Sequence, residues 1–203
     1  MIVNNIKDEW RKLLRQGFSG LVLALVVSHS SLAHHTSTPE EMTDELRGLL
    51  INAIDDSESF EDKYDAEVWL LSQSHKLRRY IDDPEERLYI LRHVHREAKR
   101  AELEPELVLA VIQIESAFNP YAVSVVGAQG MMQVMPFWKN EIGRPDDNLI
   151  DMKTNLRYGC TILKHYLDRE KGGLPNALAR YNGSYGSFKY SKKVMDAWID
   201  RWR

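Results

Sequence analysis

This sequence predicts a mainly α domain with a helical extension on its N-terminal side, and three observations lead there. Apolar residues recur at helical spacing in one segment after another, proline and acidic residues stand together where helices should start, and no long alternating strand pattern occurs. The 203 residues suit one domain with a modest extension, and a hydrophobic content of 43% is enough for a real core. No internal repeat or low-complexity tract is visible.

At the N-terminus, Lys7, Arg11, Lys12 and Arg15 precede an apolar run from Phe18 to Val27, and Ser31-Leu32-Ala33 puts small residues where a signal peptidase would cut. Residues 1–33 are therefore expected to be a secretory signal removed near Ala33, leaving an exported, soluble protein. The ten-residue run is short for a membrane span. An uncleaved N-terminal membrane anchor is the alternative. Residues 1–33 carry four basic and two acidic side chains, so 23 basic and 28 acidic remain, a net charge of −5. With no basic cluster interleaved with aromatics, nucleic-acid binding is excluded as a working function. Cys160 is the lone cysteine, so no internal disulfide can form.

Residues 34–82 form the expected extension. Thr38-Pro39-Glu40-Glu41 combines an N-cap, a first-turn proline and a capping glutamate, which starts a helix. The acidic, interrupted stretch from Asp55 to Asp65 reads as a linker, followed by a helix from about Glu67 to Tyr80 carrying Val68, Trp69 and Leu77. Residues 83–203 form the expected main domain. Asp83-Pro84-Glu85-Glu86 repeats the start signal, and Leu88, Leu91, Val94 and Ala98 mark the buried face of a helix ending near Ala101. Pro105 opens the next helix, which is almost wholly apolar from Leu107 to Ile114 and ends at Glu115. Asn119-Pro120 stops it. Gly127 and Gly130 allow a tight turn before a further short helix, with a very short strand pair near Tyr121 to Val126, and the turn returns Gln133 beside Glu115. Gly143 to Asn148 reads as a surface loop. Met152, Leu156, Leu163 and Leu167 then recur at helical spacing until Gly172-Gly173, with Cys160 on the same apolar face as a buried, inert thiol. Val194, Trp198 and Trp202 recur every four residues in a last helix.

Glu115 is the candidate for chemistry. A carboxyl at the end of an apolar helix is either a buried acid that keeps its proton, because desolvation disfavours the anion, or a solvated helix-end charge. Two blocks bear on the choice: Gly127-Ala128-Gln129-Gly130-Met131-Met132-Gln133 and Tyr181-Asn182. Sugar cleavage usually needs a second carboxyl group. Glu141, Asp146, Asp147 and Asp151 follow the glycine-rich turn, but no motif fixes any of them opposite Glu115, and they read as loop and cap residues. His93 and His95, with Glu97, stand two apart on a helix and point different ways, so no metal site is expected; no cofactor is expected either. Glu102, Glu104 and Glu106 flank Pro105 where the helix dipole favours acids, and a structural cap accounts for them.

Glu115-Ser116-Ala117-Phe118-Asn119-Pro120, then Ala122-Val123-Ser124, Gly127 to Pro136, and Ala179-Arg180-Tyr181-Asn182-Gly183-Ser184 together resemble the lytic transglycosylases that carry the soluble-lytic-transglycosylase (SLT) domain. The resemblance spans roughly residues 85 to 202. The family's Gly-Leu-Met-Gln reads Gly130-Met131-Met132-Gln133 here, which conserves volume and apolarity. Its Ala-Tyr-Asn-Ala-Gly reads Arg180-Tyr181-Asn182-Gly183-Ser184, which alters the cleft wall. The resemblance implies a lysozyme-like fold of the goose type, a periplasmic location and peptidoglycan glycan strands as substrate. It implies that Glu115 protonates the oxygen between N-acetylmuramic acid and N-acetylglucosamine, then acts as base on the C6 hydroxyl to close a 1,6-anhydro ring. Ser124 and Asn182 would hold the acetamido group, Gln133 would bond sugar hydroxyls or the N-acetyl carbonyl, and Tyr181 would orient Glu115 or stack on a sugar. Met132 would form an apolar floor, and Ser116 would bond near the site. Taken singly, Ser124 is also a turn residue, Gln133 a helix-start residue, Tyr181 a core aromatic, Met132 simple packing and Ser116 a helix-end residue. A hydrolytic muramidase and a non-catalytic murein-binding scaffold are the alternative functions. The lipoprotein anchor of some relatives has no attachment cysteine here. Residues 38–82 are a candidate surface for a cell-envelope protein partner, and the oligomeric state is not legible.

Overall fold

The computed structural model describes residues 44–55, 59–60 and 62–203. The expected signal segment and the helix start at Thr38 lie outside the described residues. Among the described residues eight α-helices follow one another: α1 (Asp44–Asp55), α2 (Lys63–Leu77), α3 (Pro84–Arg100), α4 (Pro105–Ser116), α5 (Trp138–Ile142), α6 (Met152–Arg169), α7 (Leu174–Tyr181) and α8 (Lys189–Ala197). A π-helical turn, Trp198–Trp202, continues α8 to the end of the chain. Among the described residues no helix is long and apolar enough to cross a membrane.

The helix starts are set by local chemistry. Asp62 caps α2 by accepting the Tyr64 and Asp65 amides, Asp83 caps α3 through the Glu85 amide ahead of Pro84, and Asp151 caps α6 through the Thr154 amide. The Asp62 cap starts α2 four residues before the expected position, because an aspartate in the acidic stretch serves as a cap rather than as linker. Val68 on that helix proves half exposed, and Ala66, Leu70 and Leu77 supply the buried face instead. The Glu102, Glu104 and Glu106 group differs from expectation. Glu104 stands at the N-cap of α4 without a side-chain cap bond, Glu106 accepts a 2.6 Å bond from Trp69 Nε1, and Glu102 pairs with Lys164 at 3.0 Å.

Helix α4 lies at the centre. Leu107 to Ile112 are all buried, against α3 on one side and α8 and the π turn on the other. This burial of a continuous apolar run is what an all-round hydrophobic helix requires. Leu88, Leu91, Val94 and Ala98 of α3 are buried as their spacing predicts, and α6 packs on α3 and α7. Cys160 is fully buried on α6. α1 and α2 pack on each other and on α3. Arg87, wholly buried, holds the α2–α3 junction by donating to Ser74 Oγ at 3.0 Å and to the Ile81 and Asp82 carbonyls at 3.1 and 2.7 Å.

The C-terminus closes the domain. Trp202 is fully buried, packs on Phe118 and donates from Nε1 to Gln113 Oε1 at 2.8 Å, while its carbonyl accepts from Lys76 Nζ at 3.0 Å and Gln73 Nε2 at 3.3 Å. The expected last helix is therefore present, but its final turn is π-helical. Helix α7, which carries Tyr181, was not expected. At eight residues, with only Ala177, Leu178 and Ala179 buried, it has too short an apolar stripe to stand out.

No regular strand occurs among the described residues. In place of a strand pair there are two isolated antiparallel bridges, Val123 to Gln129 and Gln129 to Val134. The second closes a four-residue loop, Gly130 to Gln133, through bonds of 3.0 and 2.9 Å between Gln129 and Val134. Gly130 sits at φ 73°, and a β-carbon there would collide with Asn155 and the Leu149 carbonyl.

Trp202→Ala should lower unfolding stability by about 3–5 kcal/mol, the range for a large buried aromatic. Urea unfolding would measure it. A shift below about 1 kcal/mol would show that the C-terminal turn is not part of the cooperative core.

Candidate active site

Glu115 occupies the last turn of α4, and the chain leaves that turn sharply. Ala117 and Phe118 take left-handed conformations at φ 49° and 67°, unusual for two successive non-glycine residues. Phe118 is buried and packed on Tyr80 and Trp202, which holds the exit in place. The Glu115 carboxyl thus stands at the rim of the core. Burial pushes its pKa up from 4.5 to about 7, moderated by a hydrogen bond from Tyr190. The Tyr190 hydroxyl donates to Glu115 Oε1 at 2.6 Å. Of the two readings of Glu115, the buried acid fits this arrangement, since burial outweighs the one bond that favours the anion.

The Gly130–Gln133 loop is clamped beside Glu115 from three sides. Ser116 Oγ donates to the Met131 carbonyl at 2.8 Å, linking α4 to the loop. The Tyr181 hydroxyl donates to the Met132 carbonyl at 2.7 Å, linking α7. Asn155, fully buried on α6, accepts from the Met132 amide at 2.8 Å and donates to the Gln129 and Leu149 carbonyls at 2.8 and 2.9 Å. Gln133 itself is left-handed, at φ 48°. Its Nε2 donates to the Ala122 and Gly130 carbonyls at 3.1 and 3.0 Å, so the side chain is fixed with its amide carbonyl as the remaining group for a ligand.

The other sequence-derived candidates fall as follows. Ser124 Oγ accepts from the Ala128 amide at 3.0 Å, the bond of a turn residue. Met132 is completely buried, and a β-carbon on Gly159 of α6 would overlap its side chain, so Met132 backs the loop from beneath. Asn182 is exposed at the C-cap of α7. Tyr181 lies near enough to Glu115 for the carboxylate to raise its pKa after burial has done so, yet the hydroxyl bonded to Glu115 belongs to Tyr190. Burial likewise raises Tyr190 well above the usual phenol value, so it remains a donor.

Sequence reasoning missed Tyr190 and Asn155. Tyr190 had a readable signal, because it stands four residues before Val194 on the stripe that runs to Trp198 and Trp202. Asn155, a polar residue between Met152 and Leu156, carried none.

The remaining acids have separate duties. Asp147 accepts from Tyr158 Oη at 2.5 Å and from the Arg144 amide at 3.1 Å, Asp151 caps α6, and Glu141 and Asp146 are exposed. His93 Nδ1 bonds the Tyr89 carbonyl at 2.7 Å. His95 stacks on Phe60 with ring centroids 3.6 Å apart, contacts Ser59 Oγ at 2.8 Å, and is pushed by burial down to about 4.

A carboxyl whose pKa burial raises to about 7, at the end of a buried helix and beside a hydrogen-bonded turn and two tyrosines, is the candidate site of a mainly α domain. The family model described as the Transglycosylase SLT domain matches residues 92–197, and the chain belongs to this family. The mainly α, SLT-type fold class read from the sequence is the one found. Among curated relatives, a membrane-bound lytic murein transglycosylase C from Yersinia pestis (strain Pestoides F) is 36% identical over a region covering 46% of this chain and 31% of that protein. The chain thus spans about a third of the length of the curated relatives it matches. Among solved structures, an inactive mutant of the lytic transglycosylase Slt from Pseudomonas aeruginosa is 24% identical with a TM-score of 0.45, covering 77% of this chain and 28% of that one. The 70 kDa soluble lytic transglycosylase of Escherichia coli is 21% identical with a TM-score of 0.43, covering 75% and 29%.

The raised pKa of Glu115 links stability to pH. The folded acid holds its proton more tightly than the unfolded chain, so stability is full below about pH 4.5, is lost as pH rises to about 7, and then levels. The loss from this one group amounts to about 3 kcal/mol. Comparing urea unfolding across pH, Glu115→Gln should remove that decline, whereas Tyr190→Phe should extend it to higher pH by deleting the bond that favours the anion. An unchanged pH profile in Glu115→Gln would show that Glu115 titrates normally.

Proposed function

We propose that this chain is a peptidoglycan lytic transglycosylase that uses Glu115 as its one acid and base. The observation carrying the reading is Glu115 itself: a buried carboxyl poised at about 7 and held by Tyr190, in a chain of the SLT family. In the first step Glu115 gives its proton to the glycosidic oxygen between N-acetylmuramic acid and N-acetylglucosamine. The substrate's acetamido group stabilises the positive anomeric carbon. In the second step the Glu115 carboxylate takes the C6 hydroxyl proton, and that oxygen closes the 1,6-anhydro ring, restoring the acid. A group with a pKa near neutrality serves both steps, because neither protonation state is far out of reach. Gln133 offers its amide carbonyl to an N–H or hydroxyl of the sugar, and Asn182, exposed at the end of α7, meets the acetamido group. Tyr181, Ser116, Ser124 and Met132 hold these groups in place, mostly through backbone bonds of the loop.

The proposal extends to location and partners. The signal-like residues 1–33 and the name of the membrane-bound relatives favour action in the cell envelope, with residues 38–82 as the surface for an envelope protein.

Glu115→Gln should lower murein cleavage by about 10³-fold while binding of glycan strands survives. Wild-type activity should fall about tenfold per pH unit above about 7, as the acid loses its proton. Mass spectrometry of the digest should give 1,6-anhydromuramic ends. Reducing muramic ends would identify a hydrolytic muramidase instead, and binding without any cleavage by the wild type would identify a scaffold.

A further inference from the structure

We propose that a cavity between α3, α6 and the loop joining α5 to α6 is a second ligand site, taking a small molecule that carries two or three oxyanion groups. The cavity has a volume of about 640 Å³. That falls in the range of small-molecule sites and exceeds what a single inorganic ion occupies. Arg96, Arg100, Arg144, Lys153 and Arg157 line it against only two carboxylates, Glu97 and Asp147. In a chain with a net charge of −3, five basic side chains thus share one concavity with two acidic ones, where a low-dielectric wall focuses their field.

The floor is preorganised. Glu97 is 1% exposed and accepts from Arg100 Nε at 2.7 Å and from Arg157 Nη2 and Nε at 2.8 and 3.1 Å. Burial alone would raise its pKa, but the two guanidinium groups hold it below the usual carboxylate value, so it stays charged and fixes both arginines. Arg100 is locked further by donating to Thr161 Oγ1 at 2.8 Å and to the Arg157 carbonyl at 3.2 Å. Asp147 is occupied by the Tyr158 hydroxyl and the Arg144 amide. One side of the cavity therefore carries the fixed Arg100 and Arg157 guanidinium groups and the other the exposed Arg144 and Lys153 heads, with Lys153 Nζ 5.7 Å from the Tyr89 ring centroid and Arg144 beside Asp147. Oxyanions from carboxylates and from phosphates meet this arrangement with the same charge-assisted bonds. The cavity shares no residue with the Glu115 site.

Isothermal titration calorimetry of the full chain, at constant ionic strength, with citrate, pyrophosphate and acetate as probes tests the proposal. Citrate or pyrophosphate should bind with one-to-one stoichiometry while acetate does not saturate; the tighter of the two assigns the source as carboxylate or phosphate. The double variant Arg144→Gln, Lys153→Gln changes only exposed side chains and should weaken that binding by about tenfold or more. Glu115→Gln should bind as the wild type does. Saturation by neither polyanion, full binding by the double variant, or loss of binding in Glu115→Gln would each overturn the proposal.

Discussion

A carboxyl group that keeps its proton near neutral pH must be taken out of water, and most of the described fold is arranged around doing that for Glu115. Its helix is apolar from Leu107 to Ile112, which forces burial, and burial is achieved only because α3, α8 and the π turn cover different sides of it. Desolvation by itself would push the acid further up. The Tyr190 bond opposes it, and the balance falls at about 7. A second carboxylate would disturb that balance, because a nearby negative charge would raise Glu115 again. Of the acids that follow the loop, Asp151 instead caps α6, Asp147 takes the Tyr158 bond, and Glu141 and Asp146 are exposed. The single-acid chemistry proposed for the site and the neutrality of its surroundings are thus two consequences of one electrostatic constraint.

The loop facing Glu115 is held by backbone bonds more than by side-chain packing. Ser116, Tyr181 and Asn155 each take one polar group of Met131 or Met132, so three helices fix two peptide units. Left-handed Ala117, Phe118 and Gln133 cost of order 1–3 kcal/mol each. These residues persist there because buried neighbours over-determine them: Phe118 by its aromatic contacts, Gln133 by two bonds to carbonyls. The consequence is that the Gln133 amide group is already committed to two carbonyls, and its acceptor oxygen needs no further ordering to meet the ligand proposed for the site.

What the sequence made legible follows the range of the interactions concerned. Helices with a proline or aspartate start and a long apolar stripe, such as α3, α4 and α6, could be read directly, and Glu115 stood out as a candidate because the run before it is apolar but for Gln113. Helix α7 escaped notice because three small buried residues make no stripe. The strand pair shrank to bridges, since the extended segment near Val123 has only the loop itself to pair with. For the site, residue identity was legible but partnership was not. Tyr181 looked like the residue to orient Glu115, yet its hydroxyl spans to Met132 while Tyr190, far from any recognised motif, takes the carboxylate. Met132 looked like a sugar-facing floor, but the absence of a side chain at Gly159 draws it under the loop. Such choices depend on how α6, α7 and α8 pack, and no local pattern encodes that.

The helices preceding α3 enter this argument through Trp202. Its indole donates to Gln113, two residues before Glu115 on the same helix, and its carbonyl accepts from Gln73 and Lys76 of α2. Burial depresses the Lys76 pKa, so the ammonium is partly stripped of water and the Trp202 carbonyl supplies part of the solvation it has lost. One residue near the end of the chain therefore joins α2 to α4, and it also packs on Phe118, which fixes the strained exit from Glu115. Without α2 the Trp202 carbonyl would face water and the π turn would lose one of its supports. Helix α2 for that reason helps hold the helix end that carries Glu115.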